Sequence, residues 1–105
     1  MARMEPQNLE AEMSVLCCAF LQKDALDKII DEVNEDMFLD ERNKLIFINM
    51  KKLHNDNIPI DVQTLCNELD KSKSLSKVGG IEYVNEVINA VPSAANLEYY
   101  IKIIF

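Results

Sequence analysis

Apolar side chains recur every three to four residues along most of this chain, which is the spacing that places them on one face of an α-helix. In the first stretch, Leu9, Met13, Leu16 and Phe20 follow this spacing. The pattern then restarts several times, each time after a residue that can cap a helix or turn the chain. We predict six helices, which cover about residues 9–22, 24–34, 40–55, 61–70, 81–91 and 97–105.

Residues that favour helix starts precede most of these stretches. Ser, Asp and Asn side chains accept hydrogen bonds from the unpaired N–H groups of a first helical turn. The N-cap candidates are Asn8 for the first helix, Asp24, Asp40 and Asp61 for the second, third and fourth helices, and Ser93 or Asn96 for the sixth. Gly79 and Gly80 allow a sharp turn before the fifth helix, and Pro92 prevents that helix from continuing.

No stretch alternates apolar and polar residues with the period of two that is typical of a strand. Helices packed on helices are therefore the expected architecture, an all-α, compact bundle of about six short helices. The sixth helix reaches Phe105 in mid-pattern and without a C-cap. We interpret this last helix as truncated at a boundary within a longer chain.

Size and charge limit the function further. The chain has 105 residues, 49% of them hydrophobic, which is enough for one domain and too little for two. Its 11 basic and 18 acidic side chains leave a net charge of −7, so we expect no direct binding of nucleic acid by this domain. Residues 1–40 hold 10 of the acidic side chains, and they form either a solvated face or a docking surface for a basic protein.

The cysteines and the hydropathy indicate a compartment. Cys17, Cys18 and Cys66 are an odd number of cysteines without the spacing of zinc ligands, and we interpret them as small buried hydrophobes. No apolar run approaches the roughly 18 residues that cross a bilayer, and no secretory signal opens the sequence. We therefore expect a cytoplasmic protein that does not contact a membrane.

Residue types that carry catalysis are scarce. A phosphate-binding loop of the form G-x-x-x-x-G-K-[ST] needs two glycines five positions apart, whereas Gly79 and Gly80, the only glycines, are adjacent. His54, the one histidine, stands at a predicted helix end, where a cation is favoured. Of the acidic residues from Asp24 to Asp36, Asp24, Asp27 and Asp31 share one helix face, but most of the others diverge, and none lies in a loop with the glycine of a calcium-binding site. We expect no catalytic, cofactor or metal site in this chain.

Six short segments nevertheless follow one another in a distinctive order. They are residues 6–12 with 14–16 (PQNLEAE, SVL), 35–38 (EDMF), 43–50 (NKLIFINM), 58–61 with 64–65 (IPID, TL), 78–83 (VGGIEY) and 91–96 with 99–100 (VPSAAN, YY). Together they closely resemble the N-terminal domain of the bacterial replicative DNA helicases of the DnaB type. The departures are small, since Cys17 stands where the family usually has Gly, Met37 replaces a Phe and Ser93 replaces a Thr.

The resemblance implies that residues 1–105 are a non-catalytic helical collar domain. In the family a helical hairpin, a linker and a RecA-like ATPase domain follow, all absent from this chain, and that ATPase domain holds ATP and Mg²⁺ and drives 5′ to 3′ translocation. The N-terminal domains form the collar of a homohexamer, arranged as a trimer of dimers. They also dock the C-terminal helicase-binding domain of primase at the replication fork, and a helicase loader is a further possible partner. We expect the fragment alone to be a monomer or a weak dimer.

The resemblance also implies where primase docks. In the family, the first helix and the turn after the glycine pair face primase, so Glu10 and Tyr83 are the candidate contacts in this chain. Tyr83 stands beside the apolar positions Ile81 and Val84, and the sequence leaves a partner contact and half-buried packing equally open. On the first alternative, Tyr83→Ala weakens primase binding without changing the helical circular dichroism signal.

Two other functions compete with this one. A free-standing helical adaptor would use the acidic face to bind a basic partner, unconnected with replication. A metal-dependent hydrolase built on the acidic residues would show a rise in melting temperature when metal is added.

Overall fold

The computed structural model describes residues 6–105, and this part of the chain folds into six α-helices and one 3₁₀ turn. The helices are α1 (Pro6–Leu21), α2 (Lys23–Glu32), α3 (Glu41–Asn55), α4 (Val62–Lys71), α5 (Gly80–Ile88) and α6 (Leu97–Ile104), and the 3₁₀ turn is Glu35–Met37. No strand occurs within residues 6–105, so the predicted all-α fold is confirmed.

Helix α1 is the centre of the packing, because it contacts α2, α3, α5 and α6. Val15, Leu16, Cys17 and Cys18 are consecutive and all 0% exposed, so the middle of α1 is buried on every side. The four apolar positions that predicted this helix, the stripe of Leu9, Met13, Leu16 and Phe20, therefore account for only part of its burial, since neighbours surround it. Three positions of that stripe are only half-buried, namely Leu9, Met13 and Phe20.

Helix α3 supplies the second half of the core. Its predicted apolar face is buried, with the side chains of Ile46, Phe47, Met50 and Leu53 at most 2% exposed. The ring of Phe38, just before α3, lies 5.1 Å from the ring of Phe47. This tilted pair joins the 3₁₀ turn to the helix it precedes.

Two of the predicted N-caps are confirmed and two are wrong, since Asn8 lies inside α1 and Asp24 lies inside α2. Asp40 accepts a hydrogen bond from the backbone N–H of Arg42, and Asp61 forms a reciprocal capping box with Thr64. Helix α2, by contrast, begins at Lys23 and has Gln22 as its N-cap residue, whose side chain makes no capping bond. Only that residue separates α1 from α2, so Asp24 falls inside the first turn of α2.

The last two helices differ slightly from the prediction. Helix α5 begins at the glycine pair and ends at Ile88, earlier than the predicted end at residue 91. Asn96 is the N-cap residue of α6, but its side chain makes no capping bond. No helix within residues 6–105 is long and apolar enough to cross a membrane.

Candidate protein-interaction surfaces

A buried carboxylate joins α1 to the start of α3. The side chain of Glu12 accepts the backbone N–H groups of Leu39 at 2.8 Å and Asp40 at 3.3 Å. It also accepts the side-chain amide of Asn43 at 2.9 Å. The N–H groups at the start of a helix have no partner within the helix. Glu12, which accepts two such groups here, is only 1% exposed. Glu12 therefore holds the entry to α3 against α1.

The same network extends to α5 through Tyr83. Its hydroxyl donates a 2.6 Å hydrogen bond to Oδ1 of Asn43. The guanidinium carbon of Arg42 lies 4.0 Å from the centre of the tyrosine ring, and Asp40 accepts two hydrogen bonds from that guanidinium, at 3.0 and 2.8 Å. Carboxylate, amide and phenol thus connect three helices inside the fold.

The pKa values of this network follow from burial and charge. Burial raises the pKa of Glu12 above its usual value, and the hydrogen bonds that it accepts only partly offset this effect. Burial also raises the pKa of Tyr83 to about 12, so its hydroxyl stays protonated and donates at neutral pH. The Arg42 guanidinium lowers the pKa of Asp40.

Sequence reasoning singled out Tyr83 and overlooked the residues to which it is connected. The position of Glu12 carried a signal, because it lies one helical turn from the apolar residues Leu9 and Leu16. A carboxylate on an apolar face is expected to be paired inside the fold. Nothing in the sequence pattern identified Asn43 as its partner.

The structure places Tyr83 within the packing of the domain. Its side chain is 6% exposed, and both its ring and its hydroxyl have partners in the same chain. Of the two alternatives left open by the sequence, half-buried packing agrees better with this environment, although the side chain is almost completely buried. Contact between Tyr83 and primase stays a prediction, and so little of the ring is exposed that most of its stabilising contacts are internal.

The other predicted contact, Glu10, lies on the surface. It is exposed on the first turns of α1 and lines an open groove of about 580 Å³ between α1 and α6. Tyr99, on α6, lines the same groove and is 64% exposed. Tyr83 does not line it, so the groove holds one of the two predicted contacts. We name this feature the α1/α6 groove.

A second groove lies at the other end of α1. It measures about 440 Å³ and is lined by Phe20, His54 and Ile58, among others. The Nε2 atom of His54 lies 3.0 Å from Oδ1 of Asp27, which ties the end of α3 to α2. His54 is thus near a helix end, as predicted, but its main contact comes from another helix.

The acidic residues of the N-terminal region do not converge. Asp27 contacts His54, and Glu32 and Glu98 contact Lys28 at 2.6 and 3.1 Å. Among the described residues, no group of three or more His, Cys, Asp or Glu side chains could hold a metal ion.

Comparison with known proteins identifies the class of this helical domain. The family model described as the DnaB-like helicase N-terminal domain matches residues 4–105. The chain therefore belongs to the family of DnaB-like helicase N-terminal domains, and the resemblance found in its sequence motifs is confirmed.

Two curated relatives and one solved structure agree with this assignment. The chain is 40% identical to the replicative DNA helicase DnaC of Bacillus subtilis (strain 168) over 102 residues, which are 97% of this chain and 22% of that protein. It is 36% identical to the replicative DNA helicase DnaB of Geobacillus stearothermophilus, with the same coverage. The crystal structure of the N-terminal domain of DnaB helicase from Mycobacterium tuberculosis superposes with a TM-score of 0.88 at 33% identity, covering 96% of this chain and 70% of that one.

The chain spans about a fifth of the length of these curated relatives. The match is confined to that part of the relatives. Their helicase name describes complete proteins that are about five times as long as this chain.

Proposed function

We propose that this chain is the non-catalytic N-terminal domain of a longer, ring-forming replicative DNA helicase and acts through protein contacts. In this proposal, it helps to assemble the collar of a hexamer and docks the C-terminal helicase-binding domain of primase. ATP, Mg²⁺ and the residues that hydrolyse ATP belong to the rest of that protein, and a helicase loader is a further partner. Membership of the DnaB-like family supports the proposal.

One observation carries the primase part of the proposal, namely the exposed pair on the α1/α6 groove. Tyr99 is the most exposed of the three tyrosines, at 64%, and Glu10 lines the same groove. Exposed aromatic side chains at a concave apolar surface are typical anchors of protein interfaces. A carboxylate at the edge of such a groove favours a partner with a basic residue.

The primase contact is tested by isothermal titration calorimetry with the C-terminal domain of the cognate primase. We expect Glu10→Lys and Tyr99→Ala each to weaken binding by roughly fivefold or more, as truncated interface anchors commonly do. Asp31→Lys is the matched control, because Asp31 is an exposed carboxylate on α2 and lines none of the grooves described above. If all three variants bind primase as the unmodified chain does, the groove is not the docking site.

Tyr83→Ala is unsuitable for this test, because removal of a buried ring would lower the stability of the domain as well as any affinity for primase. Tyr83→Phe is used in its place. Tyr83→Phe keeps the ring and removes only the hydroxyl that is bonded to Asn43. Comparison of this variant with Tyr99→Ala shows whether primase binding depends on the α1/α6 groove or on the region of Tyr83.

Ring assembly is tested by light scattering. We expect residues 1–105 alone to be a monomer or a weak dimer, and the longer protein that contains the ATPase domain to be a hexamer. A hexamer of the 105-residue chain alone would contradict the expectation that further chain is needed for assembly.

A further inference from the structure

The segment that joins α4 to α5 concentrates positive charge on an otherwise acidic chain. Residues 71–77, which we name the basic loop, contain Lys71, Lys73 and Lys77, and all three are exposed. No acidic residue stands between Asp70 and Glu82. The net charge of the whole chain is −7, so the charge of this segment is opposite in sign to that of the chain as a whole.

The lysines of the basic loop differ in their contacts from three other cationic residues, although Lys23, Lys44, Lys51 and Lys102 are also outside the ion pairs within residues 6–105. Lys28, Arg42 and Lys52 each lie within 3.1 Å of a carboxylate oxygen. No lysine of the basic loop forms an ion pair with another residue of the range 6–105. Their charges are therefore available to an anionic partner.

The backbone at Lys73 supplies an independent observation. Lys73 has a φ of 60° and follows the end of α4, where the N–H groups of Lys73 and Ser74 donate to carbonyl groups of the last helical turn. Helix α3 ends in the same way, with Asn57 at a φ of 59°. Glycine and asparagine adopt this left-handed conformation much more readily than lysine does. The lysine is thus conformationally unfavourable at its position, a condition that is concentrated at functional sites.

A shallow concavity of about 460 Å³ adjoins one of these lysines, Lys73. It is lined by Lys73, Leu75, Ser76, Gly80 and one carboxylate, Asp70. Leu75 is half-buried and packs against the core, so the concavity combines an apolar surface with a hydroxyl, an ammonium group and, at its edge, the carboxylate of Asp70. An added Cβ at Gly80 would meet nothing within 4 Å, so the surface is open on that side.

We propose that the basic loop is a docking surface for an acidic peptide segment of another protein, one that also carries an apolar side chain. The carboxylates of the segment would pair with Lys73 and Lys77, and its apolar side chain would lie over Leu75. Nucleic acid fits this surface less well, because the loop has neither an arginine nor an aromatic residue on which a base could stack. The overall negative charge of the chain also repels a long polyanion more strongly than a short acidic segment.

The concavity is separate from the α1/α6 groove, although Gly80 places it beside the glycine pair, whose following turn is the second region that the family resemblance assigns to primase. No residue that lines the concavity also lines the α1/α6 groove. The proposal goes beyond the collar function, and loss of either surface leaves the other available for measurement.

The probe is a fluorescently labelled peptide of repeated Glu-Glu-Leu units, titrated with the 105-residue chain at low ionic strength. We expect saturable binding that weakens as salt is added, because screening reduces contacts between exposed charges. Removing one lysine with Lys71→Gln or Lys77→Gln should weaken binding roughly two- to fivefold, as expected for a single exposed charge pair. A peptide of repeated Gln-Gln-Leu units should bind much more weakly.

Lys73→Gly is the decisive variant. We expect it to raise the urea midpoint of unfolding, because glycine relieves the left-handed backbone, and at the same time to weaken peptide binding two- to fivefold or more. Lys102→Gln is the matched control, since it removes an exposed lysine from α6, and it should leave peptide binding unchanged.

Three results would overturn the proposal. The acidic peptide could fail to bind, it could bind the lysine variants as tightly as the unmodified chain, or a labelled oligothymidylate could bind the loop more tightly than the peptide does. Because Lys73→Gly is expected to be more stable than the unmodified chain, lost binding in this variant cannot result from unfolding.

Discussion

The hydroxyl of Tyr83 donates a 2.6 Å hydrogen bond to the side-chain oxygen of Asn43, although the two residues lie 40 positions apart in the sequence. The amide nitrogen of the same asparagine donates to the buried carboxylate of Glu12. Asn43 is thus hydrogen-bonded through both the nitrogen and the oxygen of its amide, and it links α1 to α5. A buried polar network of this kind stabilises one arrangement of helices, because any shift leaves a polar group without its partner.

The first prediction concerns Tyr83. Tyr83→Phe should lower the free energy of unfolding by about 1–3 kcal/mol, because the buried oxygen of Asn43 loses its donor. Tyr83→Ala should cost about 3–5 kcal/mol, since it also removes the ring from the core. Urea unfolding followed by circular dichroism measures both. Equal stability of Tyr83→Phe and the unmodified chain would mean that the hydrogen bond adds nothing in solution.

The second prediction concerns the pH dependence caused by Glu12. Burial raises the pKa of this carboxyl above 4.5, so the folded chain binds the proton more readily than the unfolded chain does. Its favourable contribution is therefore present below about pH 4.5 and is lost as the pH rises through the raised pKa. Glu12→Gln cannot titrate, so the advantage of the unmodified chain over this variant should shrink as the pH rises from 4.5 to neutral.

Asp40 provides the control for that experiment, because its pKa changes in the opposite direction. The Arg42 guanidinium lowers the pKa of Asp40 below 3.8, so its contribution is present above that pH and is lost as the pH falls through the lowered pKa. Asp40→Asn should therefore remove stability at neutral pH and little at very low pH. The same pH trend in the Asp40 and Glu12 variants would contradict these assignments.

The third prediction concerns the thiols. Cys17 and Cys18 are 0% exposed, burial raises the pKa of Cys18 to about 11, and the thiol of Cys17 donates to the carbonyl of Ile88 at 3.0 Å. Cys66 is only half-buried, although burial raises its pKa too. Ellman's reagent should therefore react first with Cys66 in the folded chain and with all three thiols only in denaturant. Mass spectrometry after partial labelling identifies the site, and early labelling of Cys17 would contradict the structure.

The fourth prediction concerns two helix starts. Asp61→Ala should destabilise the chain by about 1 kcal/mol, because it removes the capping bond to the N–H of Thr64. Gln22→Ser should stabilise it by up to about 1 kcal/mol, because Gln22 already has the extended backbone of an N-cap, with φ −146° and ψ 136°, but makes no capping bond. Thermal unfolding measures both. A lower melting temperature for Gln22→Ser would show that its side chain has another role.

The sequence was sufficient for the parts of the fold that depend on neighbouring residues. Helical periodicity located all six helices, and Asp40 and Asp61 marked two starts correctly because capping involves residues only two or three positions apart. The glycine pair marked the start of α5 for the same reason, since a positive φ is a local property. Six ordered motifs were also sufficient to identify the family.

What the sequence left undecided depends on which helices meet. The burial of the middle of α1 on all sides, and the different exposures of Glu10, Glu12 and Tyr83, follow from how α1, α3, α5 and α6 pack together. Two carboxylates two positions apart on one helix differ completely in exposure, because only one faces the start of α3. Periodicity assigns residues to the faces of a helix, but the tertiary contacts alone decide which face meets solvent, which meets another helix and which polar group finds a buried partner.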